Sequence, residues 1–293
     1  MCILFVAISD NPKDDGYQLI IANNRDEYFV RPTKPAGFWD DAPNCISGLD
    51  QQAGKEGGTW LALSTNNKIG VLLNILSNDG VDIVGAKKGR GFLVTNFMPT
   101  STSANDYLTE IEKDGAGYNP FNLVLFEKLV DSDRWKMHYY NNEDEHTHEV
   151  YDHGIYSMSN STNRKPWNKV LHGKDRMKSI IDQFAADKDK TNHKEELKMA
   201  LLAMLNDDTS HMPDPQLESQ GRQLSPAWLK SRSAICVKPT EGINYGTRTN
   251  TVIIIDSEGQ CEYVERTMKE RINADSVQWT TSNYTFQMEN NSK

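Results

Sequence analysis

The chain has 293 residues, a formal net charge of −9 and 37% hydrophobic residues. This length and composition are those of an ordinary folded protein, with enough apolar side chains for a full core and no low-complexity tract. The negative charge makes sequence-independent binding to the phosphates of nucleic acids a poor expectation. Because no internal repeat and no linker rich in Pro, Gly or Ser interrupts the chain, we predict a single domain over residues 1–293.

The N-terminal apolar run Cys2–Ile8 has no basic residue before it, and Ser9-Asp10-Asn11-Pro12 ends it. It is too short for the core of a signal peptide or for a membrane span, and no later run is long enough to cross a bilayer. The four cysteines show neither a pairing rhythm nor Cys-x-x-Cys spacing. We therefore expect a cytoplasmic protein without a transmembrane segment.

Unbroken apolar runs in the first third of the chain predict strands that are buried on both faces. These strands are Cys2–Ile8, Leu19–Ala22, Trp60–Ser64 and Ile69–Ile75. Further strands are predicted at Phe121–Phe126, Trp135–Tyr140, Tyr156–Ser159, Ser233–Val237, Thr251–Ile255 and Glu262–Glu265.

Helices are predicted between the early and late strands. Apolar residues recur at helical spacing after Pro166, and Asn192-x-x-Glu195 resembles a capping box at the start of a second helix. The acidic segment Asn141–Glu149 is predicted to be a solvated loop. Strands, then helices, then strands predict two packed sheets covered by helices, which is a layered α/β sandwich.

Cys2 is the first candidate for chemistry. Removal of Met1 would make Cys2 the N-terminal residue, and its α-amine, which titrates near pH ~8, could accept the thiol proton. The alternative is that Cys2 is a small apolar side chain at the start of a core strand.

The charged cluster Asn24-Arg25-Asp26-Glu27 follows the strand Leu19–Ala22, so we expect it at the rim of a sheet. Arg25 could lower the thiol pKa of a nearby Cys2, and Asp26 could accept a hydrogen bond from the α-amine. The alternative is an ion pair that closes a turn.

Three more polar residues lie at the ends of predicted strands. Asn74 and Asn160 need hydrogen-bond partners if buried, and they could be oxyanion-hole donors or structural amides. Arg248 precedes the strand Thr251–Ile255 and could be a site residue or a surface side chain.

The chain resembles the NRDE family of transport and Golgi organisation protein 2, whose motifs occur here in the family's order. The motifs are Met1-Cys2-Ile3, Asn24-Arg25-Asp26-Glu27, Arg31-Pro32, Gly57-Gly58-Thr59-Trp60-Leu61, Ser159-Asn160 and Tyr245-Gly246-Thr247-Arg248-Thr249-Asn250-Thr251. The resemblance implies an Ntn-hydrolase-like αββα sandwich of two mainly antiparallel sheets.

The NRDE family is in turn similar to the N-terminal-cysteine amidases of the bile-salt hydrolase, penicillin V acylase and acid ceramidase type. This similarity implies the catalytic positions Cys2, Asp26, Asn74, Asn160 and Arg248. Arg25 is adjacent to Asp26, and adjacent side chains on an extended segment point to opposite sides, so we do not expect both to face Cys2.

The family resemblance also implies the handling of a hydrophobic metabolite, first of all haem trafficking, with roles in lipid metabolism and in maintenance of the Golgi and mitochondria. On this reading haem or an acyl lipid is cargo, no cofactor or metal is required, and the protein associates peripherally with an organelle. The expected ligand-binding residues are Asn24, Arg25, Trp60 and Arg248.

The sequence itself offers little direct support for haem. Cys-x-x-Cys-His is absent, and His146-x-His148 near His138 lies in or near the segment that we interpret as a solvated loop. The alternative function is an amidohydrolase that acts on an acyl-amide or lipid-like substrate through Cys2.

Overall fold

The computed structural model describes residues 2–77, 88–129, 134–144, 148–186, 193–240, 242–269 and 277–289. The strands are β1 (Cys2–Ile8), β2 (Tyr17–Tyr28), β3 (Thr33–Phe38), β4 (Cys45–Asp50), β5 (Leu61–Ser64), β6 (Lys68–Asn74), β7 (Phe121–Lys128), β8 (Trp135–Asn141), β9 (Glu149–Tyr151), β10 (Gly154–Met158), β11 (Tyr245–Asp256), β12 (Gln260–Met268) and β13 (Trp279–Gln287). The helices are α1 (Pro12–Asp15), α2 (Phe92–Thr95), α3 (Ala104–Asp114), α4 (Asn168–Ala186), α5 (His193–Leu205), α6 (Pro215–Gln220) and α7 (Pro226–Arg232).

The strands form two antiparallel sheets. The first has the order β10-β1-β2-β11-β12-β13, and the second has the order β3-β4-β5-β6-β7-β8-β9. The N-terminal strand β1 thus lies inside the first sheet, between β10 and β2, and this position fixes the backbone of Cys2.

Three apolar clusters define four layers. The inner faces of the two sheets pack on each other, with Leu4 and Val6 among the side chains from β1. The opposite face of β1, including Ile3 and Phe5, packs under α4 and α5, and α2 and α3 cover the outer face of the second sheet. Since β1 is buried on both faces, it needs an unbroken apolar run. The predicted αββα sandwich is confirmed.

The charged cluster after Leu19–Ala22 does not lie at the rim of a sheet, as the sequence led us to expect. The strand continues to Tyr28, and Arg25 and Asp26 pair with β1 or β11 inside the sheet. Both residues are at most 5% exposed. A strand can carry such residues in its interior when neighbouring groups satisfy their hydrogen bonds.

The predicted strand Ser233–Val237 is wrong. These residues are buried but irregular. The amide of Cys236 donates to the carbonyl of Asp207, and Val237 exchanges two hydrogen bonds with Thr247 of β11 without forming a strand. The apolar run correctly predicts that these residues are buried, but the strand conformation inferred from it is wrong.

The acidic segment is also not one loop. Asn141 ends β8 and is fully buried, and Glu149 begins β9, while residues 145–147 lie outside the described ranges. The helix predicted after Pro166 is confirmed as α4. The second helix, α5, begins at His193, and Asn192 of the predicted capping box is not among the described residues.

Candidate functional site

Cys2 is held by hydrogen bonds at one end of the sandwich. Its backbone N–H donates to Oδ1 of Asn160 at 3.2 Å, and its carbonyl accepts from Oγ of Ser159 at 2.8 Å. Nδ2 of Asn160 in turn donates to the carbonyl of Asn74 at 2.6 Å, which links the first sheet to the second. The structure therefore brings Cys2, Asn74 and Asn160 together, with the amide of Asn160 at their centre.

The thiol of Cys2 is buried, and burial raises its pKa above the ordinary value. The charge of Asp26 acts in the same direction, whereas the charge of Arg25 lowers the pKa. A thiol with a raised pKa is protonated at neutral pH, so nucleophilic attack by Cys2 requires a base close to the sulfur. The role of the α-amine stays a prediction, because Met1 lies outside the described residues.

Arg25 is the direct cross-strand partner of Cys2, so the two side chains share the inner face of the first sheet. Its guanidinium lies 4.3 Å from the centre of the Trp60 ring, and Nη1 donates to Oγ1 of Thr33 at 3.1 Å. A carboxylate oxygen of Glu27 lies 4.0 Å from Nη2. Two of the expected ligand-binding residues, Arg25 and Trp60, are thus stacked on each other on the side of the sheet that carries Cys2.

Asp26 faces the opposite side of the sheet, as the alternation of the strand requires. Its Oδ1 accepts from Oγ1 of Thr247 at 2.6 Å, and burial raises its pKa. The buried Lys169 of α4 is the strongest electrostatic influence that lowers the pKa of Asp26. Burial reduces the pKa of Lys169 itself to about 8. Asp26 and Lys169 are therefore two buried titratable groups that influence each other electrostatically on the helix side of the sheet.

Asn24 also faces the helices. Its Nδ2 donates to the carbonyls of Leu205 and Ile235 at 2.7 and 3.1 Å, and its Oδ1 accepts from Asn250 at 2.7 Å. These bonds tie α5 and the segment after α7 to the centre of the sheet. They describe a structural role on the face opposite Cys2.

Arg248 is an inserted residue in β11. Asp26 pairs with Thr247 and Arg25 pairs with Thr249, so Arg248 is a β-bulge between them. Its Nη1 donates to the carbonyl oxygens of Tyr28, at 3.1 Å, and Arg31. A cleft of about 200 Å³ opens beside it and is lined by Phe29, Val30, Arg31, Pro32, Thr33, Pro35, Gln51, Arg248, Thr267, Met268, Lys269 and Thr280.

The predicted site residues thus fall into three places. The inner face of the first sheet and its junction with the second hold Cys2, Arg25, Trp60, Asn74 and Asn160. Asn24 and Asp26 lie on the helix side, and Arg248 lies at the cleft, whose lining does not include Cys2.

Lys169 is a residue that sequence reasoning missed, although a signal was present. It lies four residues before Gly173 and eight before Met177, both of which are buried on α4. This spacing places Lys169 on the apolar stripe of the helix, where a lysine is rare.

The histidine pair lies elsewhere. Nδ1 of His138 is 3.3 Å from Nε2 of His148, and Nε2 of His138 is 3.3 Å from a carboxylate oxygen of Glu127. Neither histidine lines the cleft, and His146 falls outside the described ranges.

No group of three or more His, Cys, Asp or Glu side chains in the described parts of the chain is arranged to hold a metal ion. Among the same residues, no helix combines the length and the apolar character that a membrane crossing requires.

The sequence of this chain is similar to that of one known protein family. A family model described as Transport and Golgi organisation 2 matches residues 1–270. The human Transport and Golgi organization protein 2 homolog is 36% identical over 99% of this chain and 100% of its own length. The Drosophila melanogaster Transport and Golgi organization protein 2 is 31% identical over 92% of each chain.

A solved structure of a variant of conjugated bile acid hydrolase from Clostridium perfringens superimposes with a TM-score of 0.46, at 8% identity, over 97% of each chain. The family model and the curated relatives extend over nearly the whole sequence, and their agreement decides the assignment. The chain belongs to the Transport and Golgi organisation 2 family.

Proposed function

We propose that this protein binds and hands over a hydrophobic metabolite that carries an acid group, with haem as the first candidate cargo. The observation that carries the proposal is the composition of the cleft beside Arg248. Its wall has apolar side chains between Phe29 and Pro35 and from Met268, and it carries the guanidinium of Arg248 and the amine of Lys269. The guanidinium of a third lining residue, Arg31, is paired with the carboxylates of Asp50 and Glu27. None of the residues that line it is acidic. An apolar wall beside guanidinium groups suits an amphiphile with a carboxylate or phosphate.

The position of Arg248 supports this use. Hydrogen bonds from its Nη1 to the carbonyl oxygens of Tyr28 and Arg31 hold the guanidinium beside the cleft. Val30, on the same wall, is 83% exposed, so an apolar surface is available to an arriving ligand. The bulge gives the sheet an arginine at its end without disturbing the pairing of its neighbours.

The size of the cleft suits a carrier. At about 200 Å³ it is smaller than the roughly 300–1,000 Å³ of pockets that enclose a small ligand. A cargo held by its acid-bearing edge remains largely accessible, which favours transfer to an acceptor. Haem has such an edge, and the thioether of Met268 is a known type of haem-iron ligand. An acyl lipid with an acidic head group is the second cargo of this class.

The test is a titration of the purified full chain with haem, followed through the Soret band. We expect a shifted band, about tenfold weaker binding for Arg248→Gln, and an altered band position for Met268→Leu. Arg176→Gln, which removes an exposed arginine of α4, is the matched control. Laurate is then added as a competitor for the cleft. An unchanged Soret band excludes haem as cargo, and the absence of laurate binding as well would reject the cleft as a carrier site.

A second candidate, an N-terminal-cysteine amidohydrolase, is favoured by the arrangement of Cys2, Asn160 and Arg25 at the junction of the sheets. In this reaction the Cys2 sulfur attacks an amide carbonyl, the amine leaves with the thiol proton, and water hydrolyses the thioester. Intact mass shows whether Met1 is removed, and a thiol-directed acyl probe shows whether Cys2 reacts. A retained Met1 together with an unlabelled Cys2 would exclude this mechanism.

We also propose that the protein is cytoplasmic and associates peripherally with mitochondria or the Golgi, where it collects or delivers its cargo. Cell fractionation with salt extraction tests it. The protein should be released from the organelle fraction by salt, and its absence from both organelle fractions would remove this part of the proposal.

A further inference from the structure

A row of buried polar side chains lies between the two sheets, beside Cys2. In the first sheet Arg25 pairs with Thr249, and two residues further along Asn23 pairs with Thr251, which pairs in turn with Glu265. Residues two apart on a strand share a face, so these side chains and Cys2 all point toward the second sheet. Trp60 packs against Arg25 from the second sheet. We call this set the inter-sheet polar row.

Four atoms of the inter-sheet polar row have no hydrogen-bond partner among the described residues. They are Oδ1 of Asn23, Nε1 of Trp60, and Oγ1 of both Thr249 and Thr251. All four side chains are at least nine-tenths buried. A buried polar atom without a partner is costly, and four such atoms on adjacent residues are unexpected in a purely structural core.

The inter-sheet polar row has two chemically different ends. At one end the guanidinium of Arg25, the indole N–H of Trp60 and the hydroxyl of Thr249 are hydrogen-bond donors. At the other end, about 7 Å along the strands, Oδ1 of Asn23 and the carboxyl of Glu265 are acceptors.

Gly48 of the second sheet lies beside both Trp60 and Glu265. A Cβ atom at Gly48 would lie 2.6 Å from the Trp60 ring and 3.2 Å from Oε1 of Glu265, so both side chains pack on the same glycine. A side chain at position 48 would therefore collide with Trp60, and the glycine lets both Trp60 and Glu265 lie next to the backbone there.

We infer that the inter-sheet polar row binds a small zwitterion of the α-amino acid class. Its carboxylate faces Arg25 and Trp60, and its ammonium faces Asn23 and Glu265. The hydroxyls of Thr249 and Thr251 lie between these ends and serve both. The carboxyl of Glu265 accepts hydrogen bonds from Ala36, Thr267 and Tyr263 at 3.0, 3.1 and 3.2 Å, and a bound ammonium would place an opposite charge beside it. The site is separate from the cleft of Arg248 and does not depend on the proposed carrier function.

The test uses the full chain and glycine as the probe, with acetate and methylamine as probes for each half of the zwitterion. We expect millimolar glycine to raise the melting temperature and to give a binding isotherm by calorimetry, and neither half-probe to do so. Thr249→Val and Thr251→Val should each weaken glycine binding about tenfold. Because each variant removes an unsatisfied hydroxyl, each should also raise the melting temperature of the free protein by about 2 °C.

Thr59→Val is the reference variant, because the Thr59 hydroxyl donates to the carbonyls of Gly48 and Leu61 at 2.7 and 3.0 Å. It should lower the melting temperature. If Thr249→Val and Thr251→Val lower it as well, their hydroxyls have structural partners and the inference is overturned. It is also overturned if glycine does not bind, or if crystals soaked with glycine show only ordered water beside Trp60. The readouts do not involve the Soret band, so failure of haem binding leaves this inference standing.

Discussion

The buried amine of Lys169 allows a quantitative test of the electrostatics beneath the helices. Lys169 is fully buried on α4, its Nζ donates to the carbonyl of Ala234 at 3.0 Å, and burial lowers its pKa from 10.5 to about 8. Because the folded pKa is depressed, the folded chain releases this proton at lower pH than the unfolded chain does. The contribution of the Lys169 amine to the free energy of unfolding is therefore fully present above pH 10.5, and it is lost as the pH falls through 8.

The difference of roughly 2.5 pKa units corresponds to about 3 kcal/mol. The perturbation is Lys169→Met, which keeps the length of the side chain and removes its proton binding. Between pH 8 and 10 the wild type should gain about 2–3 kcal/mol in unfolding free energy relative to this variant. Taking the difference between the two proteins cancels the cysteines, whose raised pKa values act in the opposite direction above pH 9.

The assay is urea denaturation at several pH values, with Lys174→Met, an exposed lysine on the same helix, as the control for loss of a lysine. The control should follow the wild type across the whole range. If the unfolding free energies of the wild type and of Lys169→Met change in parallel with pH, then folding does not lower the pKa of the Lys169 amine and the reasoning is refuted.

Three further substitutions test the packing and the polar contacts. Gly173→Ala should destabilise the fold by about 1–3 kcal/mol, because the added Cβ would lie 2.3 Å from the Phe5 ring, and an unchanged melting temperature would contradict this contact. Asn160→Ala should lower the free energy of unfolding by about 2–3 kcal/mol, measured by urea denaturation, because two buried hydrogen bonds are lost. Loss of the bond to the Cys2 amide should also speed modification of the Cys2 thiol by a labelling reagent. An unaltered labelling rate would argue against that bond. Asn24→Ala should cost about 3 kcal/mol and increase hydrogen exchange in α5, and unchanged exchange there would show that its carbonyl contacts do not hold the helix.

The strands that are buried on both faces of a sheet could be predicted from the sequence. β1 and β6 carry unbroken apolar runs because apolar layers lie on both of their faces, and this pattern is visible in the sequence. β3 and β13 lie at edges of the two sheets and have mixed burial, and β3 contains Pro35 and Gly37. Such strands take their conformation from their neighbours, so the sequence gives a weak signal for them.

The sequence could predict which residues are candidates for the site, but not all of their positions relative to one another in the fold. Alternation along β2 separates Arg25 from Asp26, and this was foreseeable from their adjacency. That Thr249 faces Arg25 was not foreseeable, because it depends on the bulge and on strand pairing between residues more than 200 positions apart. The apolar stripe of α4 signals the burial of Lys169, but its hydrogen bond to the carbonyl of Ala234 depends on how the helix packs against the segment after α7.

The bulge in β11 has one more consequence, for the genetics of this chain. Thr247 and Thr249 would be consecutive partners of Asp26 and Arg25 in a regular ladder if Arg248 were absent. The sheet can therefore close over the loss of this single codon with every other pair in place. We expect a one-residue deletion at position 248 to give a chain that keeps this strand pairing yet lacks the Arg248 guanidinium beside the cleft. Abundance alone would not reveal such a lesion.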